Sequence, residues 1–138
     1  MKVAQLIKRL NMTKKPELQR ELVLEAWQSC DNFFVGLQLS CDPNTKIPVS
    51  KIPEIDVDDG FESTFTFEDF MTLYDKVTQV DVTAEAAREL IIDAAGVADF
   101  TEWNTFYRRI LLKKLQNDLP MEVIAQVLSE LTGVQLVL

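Results

Sequence analysis

Basic and amide side chains cluster in the C-terminal third of the chain, where their spacing suits contact with phosphate groups. Four of the fourteen Lys and Arg residues and two amides stand close together there: Arg108, Arg109, Lys113, Lys114, Gln116 and Asn117. Pro120 then opens another predicted helix, whose first backbone N–H groups are a natural phosphate site. The stretch therefore predicts a phosphate-binding surface.

An amphipathic helix must position these residues. Apolar side chains recur at i, i+3, i+4, i+7 and i+8, the pattern of a helix with one buried face: Trp103, Phe106, Tyr107, Ile110 and Leu111. Arg109 and Lys113 lie at i and i+4, so both are expected to project from one side of this helix. At helical spacing beside aliphatic residues, Trp27, Trp103 and Tyr107 are predicted to be core residues rather than base-stacking ones. The competing interpretation of Arg108 and Arg109 is a pair of surface ion pairs, for example with Glu102 or Asp99.

The remaining periodicity predicts an all-α fold, a compact bundle of about six to seven helices. Thr13, Thr66 and Thr83 are expected to be helix N-caps, and Gly96 and Gly133 are expected to end helices. One long irregular loop is predicted at about 41–63, where three of the five prolines fall. Its second half is acidic, yet Phe61 and Phe67 stand where an EF-hand starting at Asp56 requires Gly and Glu, so the sequence predicts no metal site.

Length and composition predict one soluble domain over residues 1–138. The hydrophobic fraction is 47% and the charged fraction 26%, and no apolar run approaches the roughly 20 residues that span a bilayer. The charges at the N-terminus are too closely spaced for a signal peptide. A cytoplasmic location is therefore expected. Cys30 and Cys41 are expected to be free thiols in that compartment.

The net charge of −8 and the absence of histidine limit the possible functions. Without histidine the chain lacks the usual general base, any Ser-His or Cys-His nucleophile pair and the commonest zinc ligand. The four glycines form no phosphate-binding G-x-x-x-x-G-K loop. The acidic balance also argues against a protein that coats nucleic acid nonspecifically. We therefore predict no catalytic residue in this chain.

The order of four motifs resembles that of a known domain. The motifs are Phe67-x-x-Phe70-x-x-Leu73-Tyr74, Thr83-x-x-x-Ala87-x-x-Leu90, Phe106-x-Arg108-Arg109-Ile110 through Lys114-Leu115, and Ile124-Ala125-x-Val127. Their order and spacing resemble the N-terminal helical DNA-binding domain of ATP-dependent DNA ligases, T-even-phage type. The loop from Leu39 to Pro53 also looks like the linker between early and late helices of the phage ligases. The resemblance covers about residues 6–133.

The resemblance implies an all-α domain that lies across the minor groove of nicked double-stranded DNA during DNA replication and repair. Its partners would be the ligase catalytic domains, which complete a clamp around the nick. ATP and Mg are expected only in those domains, because no lysine of this chain begins K-x-D-G and the chain therefore cannot adenylate itself. It would be a fragment of a ligase or a separate DNA-binding subunit. The apolar end, residues 134–138, suggests a cut at a domain boundary.

By resemblance, the DNA-contacting set combines the basic helix end with two loop lysines: Arg108, Arg109, Lys113, Lys114, Gln116, Asn117, Lys46 and Lys51. Lys14 and Lys15 are expected to extend this basic face. Two positions depart from the family, which often has a basic residue near Gln116 and usually a glycine at Asp118. A carboxylate facing phosphates would weaken binding, so either Asp118 turns away or the phosphate contact is looser, and the isolated domain is expected to bind weakly.

Two other functional classes stay open at this stage. One is an acidic helical protein–protein module in which residues 54–69 dock on a basic partner, and the other is an acidic DNA mimic. The acidic loop would either meet a sliding clamp or stay in water. Salt dependence separates these classes, because phosphate contacts make duplex affinity fall steeply as salt rises.

Overall fold

The computed structural model describes residues 2–56 and 63–133. These ranges contain seven helices and no strand, which confirms the predicted all-α bundle. The helices are α1 Val3–Met12, α2 Pro16–Ser29, α3 Asp31–Cys41, α4 Phe67–Val77, α5 Ala84–Val97, α6 at residues 100–111 and α7 Met121–Thr132. None of the described helices is long and apolar enough to cross a membrane.

Helix α6 is continuous but irregular. It begins as α-helix at Phe100–Glu102, widens into a π-helical turn at Trp103–Tyr107 and returns to α-helix at Arg108–Leu111. In the π-turn the N–H of Arg108 bonds to the carbonyl of Trp103, five residues earlier. A short 3₁₀ helix at Leu115–Asp118 leads from α6 towards α7, and this helix together with the preceding Lys114 is called the 3₁₀ turn below.

Local capping signals explain most helix ends. Thr66 and Asp69 form a capping box at the start of α4, and Thr83 accepts from the Ala86 N–H at the start of α5. Gly133 ends α7 in the left-handed conformation, at φ 71°. These predictions are confirmed.

Two capping predictions are wrong. The hydroxyl of Thr13 donates to the Arg9 carbonyl at the end of α1, while α2 starts after Lys15 with a proline in its first turn. Gly96 lies inside α5, which continues to Val97. The proline set the start of α2 more strongly than the threonine, because its fixed φ suits the first helical position.

The apolar stripe of α6 forms the centre of the core, and all five of its predicted core residues are buried. Tyr107 stacks on Phe70 of α4, with ring centroids 4.8 Å apart, and Phe106 stacks on Phe67 at 6.1 Å. The core prediction for Trp27 is wrong, since that side chain is 37% exposed and meets Phe34 edge-on at 5.2 Å. Helix α2 instead buries Leu22, Val23 and Ala26.

Gly36 allows α3 to approach α6 closely. A Cβ atom at Gly36 would lie 2.5 Å from Cζ of Phe106 and 2.7 Å from Cδ1 of Ile110, both fully buried side chains. We expect Gly36→Ala to lower the free energy of unfolding by about 1–2 kcal/mol, because overpacking costs more than the improved helix propensity returns. Urea denaturation followed by circular dichroism measures this. Gly96→Ala is the matched control: no atom lies within 4 Å of its added Cβ, so it should be neutral or stabilising.

The irregular loop is fastened to one side of α6. No helix or strand forms at residues 42–56 or at Ser63, as predicted for these parts of the loop, whereas Cys41 still belongs to α3. The Trp103 Nε1 donates to the Pro53 carbonyl at 2.8 Å, and the amide of Asn104 bonds to both backbone groups of Ile55 at 2.9 Å. The acidic residues Asp58, Asp59 and Glu62 and the end segment 134–138 lie outside the described residues.

Candidate nucleic-acid interface

Helix α6 ends earlier than its charge pattern suggested. Its last helical residue is Leu111, and Lys113 has a left-handed backbone at φ 59°. The N–H of Lys113 bonds to the Ile110 carbonyl and that of Lys114 to the Arg109 carbonyl, which together make a Schellman motif. Lys113 thus occupies the position where glycine is usual. The prediction that Arg109 and Lys113 share one helical face is therefore wrong.

The side chain of Lys113 points into the protein. Its Nζ donates to the Leu39 carbonyl and to the Tyr74 hydroxyl, both at 2.6 Å, and lies 5.1 Å from the centroid of the Tyr74 ring. Burial lowers the pKa of the Lys113 amine and raises the pKa of Tyr74 to about 12. This amine joins the end of α3 to α4 and fixes the point where α6 ends.

Arg108 holds the irregular loop. Its Nε donates to the Ile52 carbonyl at 2.9 Å, and its Nη1 lies 3.4 Å from Oε1 of Glu54. The expected partners have other roles: the Glu102 carboxylate accepts from the Ala4 N–H, and the Asp99 carboxylate caps α6. The ion-pair interpretation named the right kind of contact for Arg108 but the wrong acid.

Arg109 grips the 3₁₀ turn. Its Nε and Nη2 donate to the two carboxylate oxygens of Asp118, at 2.7 and 3.0 Å, and Nη2 also donates to the Lys114 carbonyl at 3.1 Å. Asp118 therefore faces the guanidinium of Arg109 directly. The pair joins the last turn of α6 to the end of the 3₁₀ turn.

Ser40 and Gln116 complete the attachment of the 3₁₀ turn. The Ser40 hydroxyl accepts from the Leu115 N–H at 3.1 Å and donates to Oε1 of Gln116 at 2.6 Å, while Nε2 of Gln116 donates to the Lys113 carbonyl at 3.0 Å. Ser40 is 2% exposed. Nothing in the sequence marks Ser40 as part of this site, because a serine in the last turn of a helix carries no signal for a partner so distant in the chain.

The remaining predicted residues are exposed. Lys114 and Asn117 lie on the outer side of the 3₁₀ turn, and Lys46 and Lys51 lie on the irregular loop. Lys14, Asn117 and Asp118 line one cleft between the end of α1 and the 3₁₀ turn. Lys51 lines a different groove between the loop and α5, together with Arg88, which the sequence analysis did not single out. Lys15 is exposed at the start of α2.

Within the described ranges, no three Asp, Glu or Cys side chains come together as a metal site would require. Cys30 and Cys41 form no disulfide with each other there.

No family model matches the sequence, and no curated protein matches it. Two solved structures are similar. Pmar-Lig_PreS3 is 28% identical with a TM-score of 0.83, and the match covers 96% of this chain and 31% of that one. Pmar-Lig_Pre is 29% identical with a TM-score of 0.82, with 94% of this chain and 30% of that one covered. Both names are ligase-related. The chain spans a little under a third of the length of either structure.

Proposed function

We propose that the chain is the DNA-binding domain of an ATP-dependent DNA ligase, T-even-phage type, and that it binds nicked duplex DNA in replication and repair. The observation that carries the proposal is the match of almost the whole fold, at a TM-score of 0.83, to a structure with a ligase-related name. The sequence motifs that resemble the ligase domain fall in or directly beside α4, α5, α6 and α7, and the third motif continues to Leu115 in the 3₁₀ turn. The chemistry of sealing, with its ATP and Mg, would belong to partner catalytic domains.

The 3₁₀ turn is the best-supported phosphate contact. Lys114 and Asn117 are exposed on it, while Ser40, Lys113 and Arg109 fasten the backbone beneath them. Phosphate would bind to a surface that is already ordered, so little conformational entropy is lost on binding. A lysine and an amide hydrogen-bond to phosphate oxygens equally well at any sequence, which suits a protein that must act at any nick.

The proposed site residues divide into two roles. Lys114, Asn117, Lys46 and Lys51 would contact phosphates directly, because they are exposed. Arg108, Lys113 and Gln116 would shape the surface through the internal bonds that they make. Arg109 belongs to both groups, since its guanidinium binds the turn and is 22% exposed. The net charge of −8 opposes all these contacts, so we expect weak binding that needs low salt.

The test is a fluorescence anisotropy titration of nicked duplex DNA at several salt concentrations. We expect wild-type binding whose affinity falls as salt rises, and a roughly tenfold or greater loss in Lys114→Glu, because one charge-assisted hydrogen bond is lost and a repulsion is added. The slope of log K against log salt should become shallower by about 0.9, the value of one phosphate contact.

Lys76→Glu is the matched control for charge. Lys76 is exposed on α4, two residues and thus roughly 200° around the helix from the buried Tyr74. Lys76→Glu changes the net charge by the same amount as Lys114→Glu and should alter the affinity for nicked duplex DNA much less. The absence of duplex binding by the wild type at low salt would contradict the proposal and favour an acidic protein–protein module. Equal losses in both variants would contradict the assignment of Lys114.

A further inference from the structure

The Arg109–Asp118 pair has the geometry of an occupied anion site. Two parallel N–H···O bonds of 2.7 and 3.0 Å join the edge of the guanidinium to both carboxylate oxygens. The pair lies at the surface, with side chains 22% and 37% exposed, so an external anion can reach it. Asp118 lines the cleft that also holds Asn117 and Lys14, and Lys114 is exposed on the same turn.

A carboxylate and a phosphate compete for the same guanidinium edge. Arginine binds either anion through two parallel N–H···O bonds, because its planar donors match the spacing of the two oxygens. The exposed lysines Lys46, Lys51 and Lys114 form no ion pair with a carboxylate of the described residues. At Arg109 the protein supplies the anion itself.

We infer that Asp118 is an intramolecular competitor for phosphate: its carboxylate occupies the guanidinium of Arg109 until a DNA phosphate displaces it. The inference rests on the proposed function, whose site it shares. It makes Asp118 a residue that sets affinity, since each binding event must break an internal ion pair before Arg109 can form an external one. The guanidinium remains bonded to the Lys114 carbonyl through Nη2, so the exchange need not release the 3₁₀ turn.

The exchange predicts a gain of function from a neutral isostere. Asp118→Asn keeps the side-chain size and one acceptor oxygen for Arg109 while removing the competing charge. We expect nicked duplex DNA to bind roughly tenfold more tightly with an unchanged salt slope, because Arg109 neutralises the same phosphate in both proteins and only the competing carboxylate is lost. The wild type, Asp118→Asn, Arg109→Gln and the double variant form a double-mutant cycle, measured by anisotropy. In the Arg109→Gln background the gain should disappear.

Asp93→Asn is the matched control, because it removes one exposed carboxylate from α5 and changes the net charge equally. A gain in Asp118→Asn that Asp93→Asn also shows, or that survives in Arg109→Gln, would overturn the inference. A lower unfolding midpoint together with weaker binding in Asp118→Asn would overturn it too, since the pair would then be structural. If neither the wild type nor Asp118→Asn binds duplex at low salt, the proposed function itself fails.

Discussion

Replacing Trp103 by alanine should lower the free energy of unfolding by about 3–5 kcal/mol, the usual cost of removing a fully buried tryptophan. Trp103 has no exposed surface, and its indole N–H holds the Pro53 carbonyl of the irregular loop. The substitution therefore leaves a cavity at the centre of the core and also releases the loop. Urea denaturation followed by circular dichroism at the helical band measures the change.

Two further variants separate the contributions of Trp103. Trp103→Phe keeps most of the volume and loses the hydrogen bond, so we expect a loss of about 1–3 kcal/mol. Trp27→Ala removes the half-exposed tryptophan and should cost about 1 kcal/mol or less. Equal losses at the two tryptophans would contradict the assignment of Trp103 to the centre of the core.

Lys113→Ala should lower the free energy of unfolding by about 2–4 kcal/mol, although the sequence alone predicts that Lys113 is a surface residue. The amine makes two internal hydrogen bonds, and a hydrogen bond to a charged group contributes about 1.5–3 kcal/mol. Lysine and alanine both carry a Cβ atom, so Lys113→Ala keeps the strain of about 1 kcal/mol that this positive φ imposes. Lys113→Gly removes the same amine without that strain and should cost less than Lys113→Ala. Denaturation curves of both variants measure the difference.

Lys114→Ala is the neighbouring control, expected to change stability by no more than about 0.5 kcal/mol because its side chain is exposed. The contrast also changes how DNA-binding data on Lys113 should be interpreted. A Lys113 variant that binds DNA poorly would do so mainly because the 3₁₀ turn has lost its support. A Lys113→Ala protein of wild-type stability with a shallower salt slope would contradict this and make Lys113 a direct phosphate contact.

The parts of the fold that depend on local signals were predictable from the sequence. The apolar stripe from Trp103 to Leu111 predicts a buried helix face wherever that helix packs, and Thr66 carries its capping box within four residues. Gly133 marks a helix end because it takes a left-handed backbone without strain. These features need no knowledge of the rest of the chain.

The candidate site depends on contacts that are distant in sequence. Arg108 contacts Ile52 and Glu54, and Lys113 contacts Leu39 and Tyr74. The residues next to Arg108 and Lys113 in the sequence do not indicate these partners. The sequence pattern predicts a longer α6 than the structure has, because lysine is an unusual residue at a left-handed helix end. Four basic residues at helical spacing therefore looked like one basic face, whereas three of them are largely engaged within the protein.

The π-turn at Trp103–Tyr107 determines that Arg108 contacts the irregular loop and that Arg109 contacts the 3₁₀ turn. The wider turn takes up about one residue more than an α-helical turn, and each α-helical residue corresponds to roughly 100° of rotation. Wound as a regular helix from residue 100, the same sequence would swing Arg108 away from the loop and Arg109 away from Asp118. The separate contacts of the two arginines thus depend on how the backbone of α6 is wound. A relative with a single insertion or deletion in this turn could keep both arginines and still lose their separate contacts.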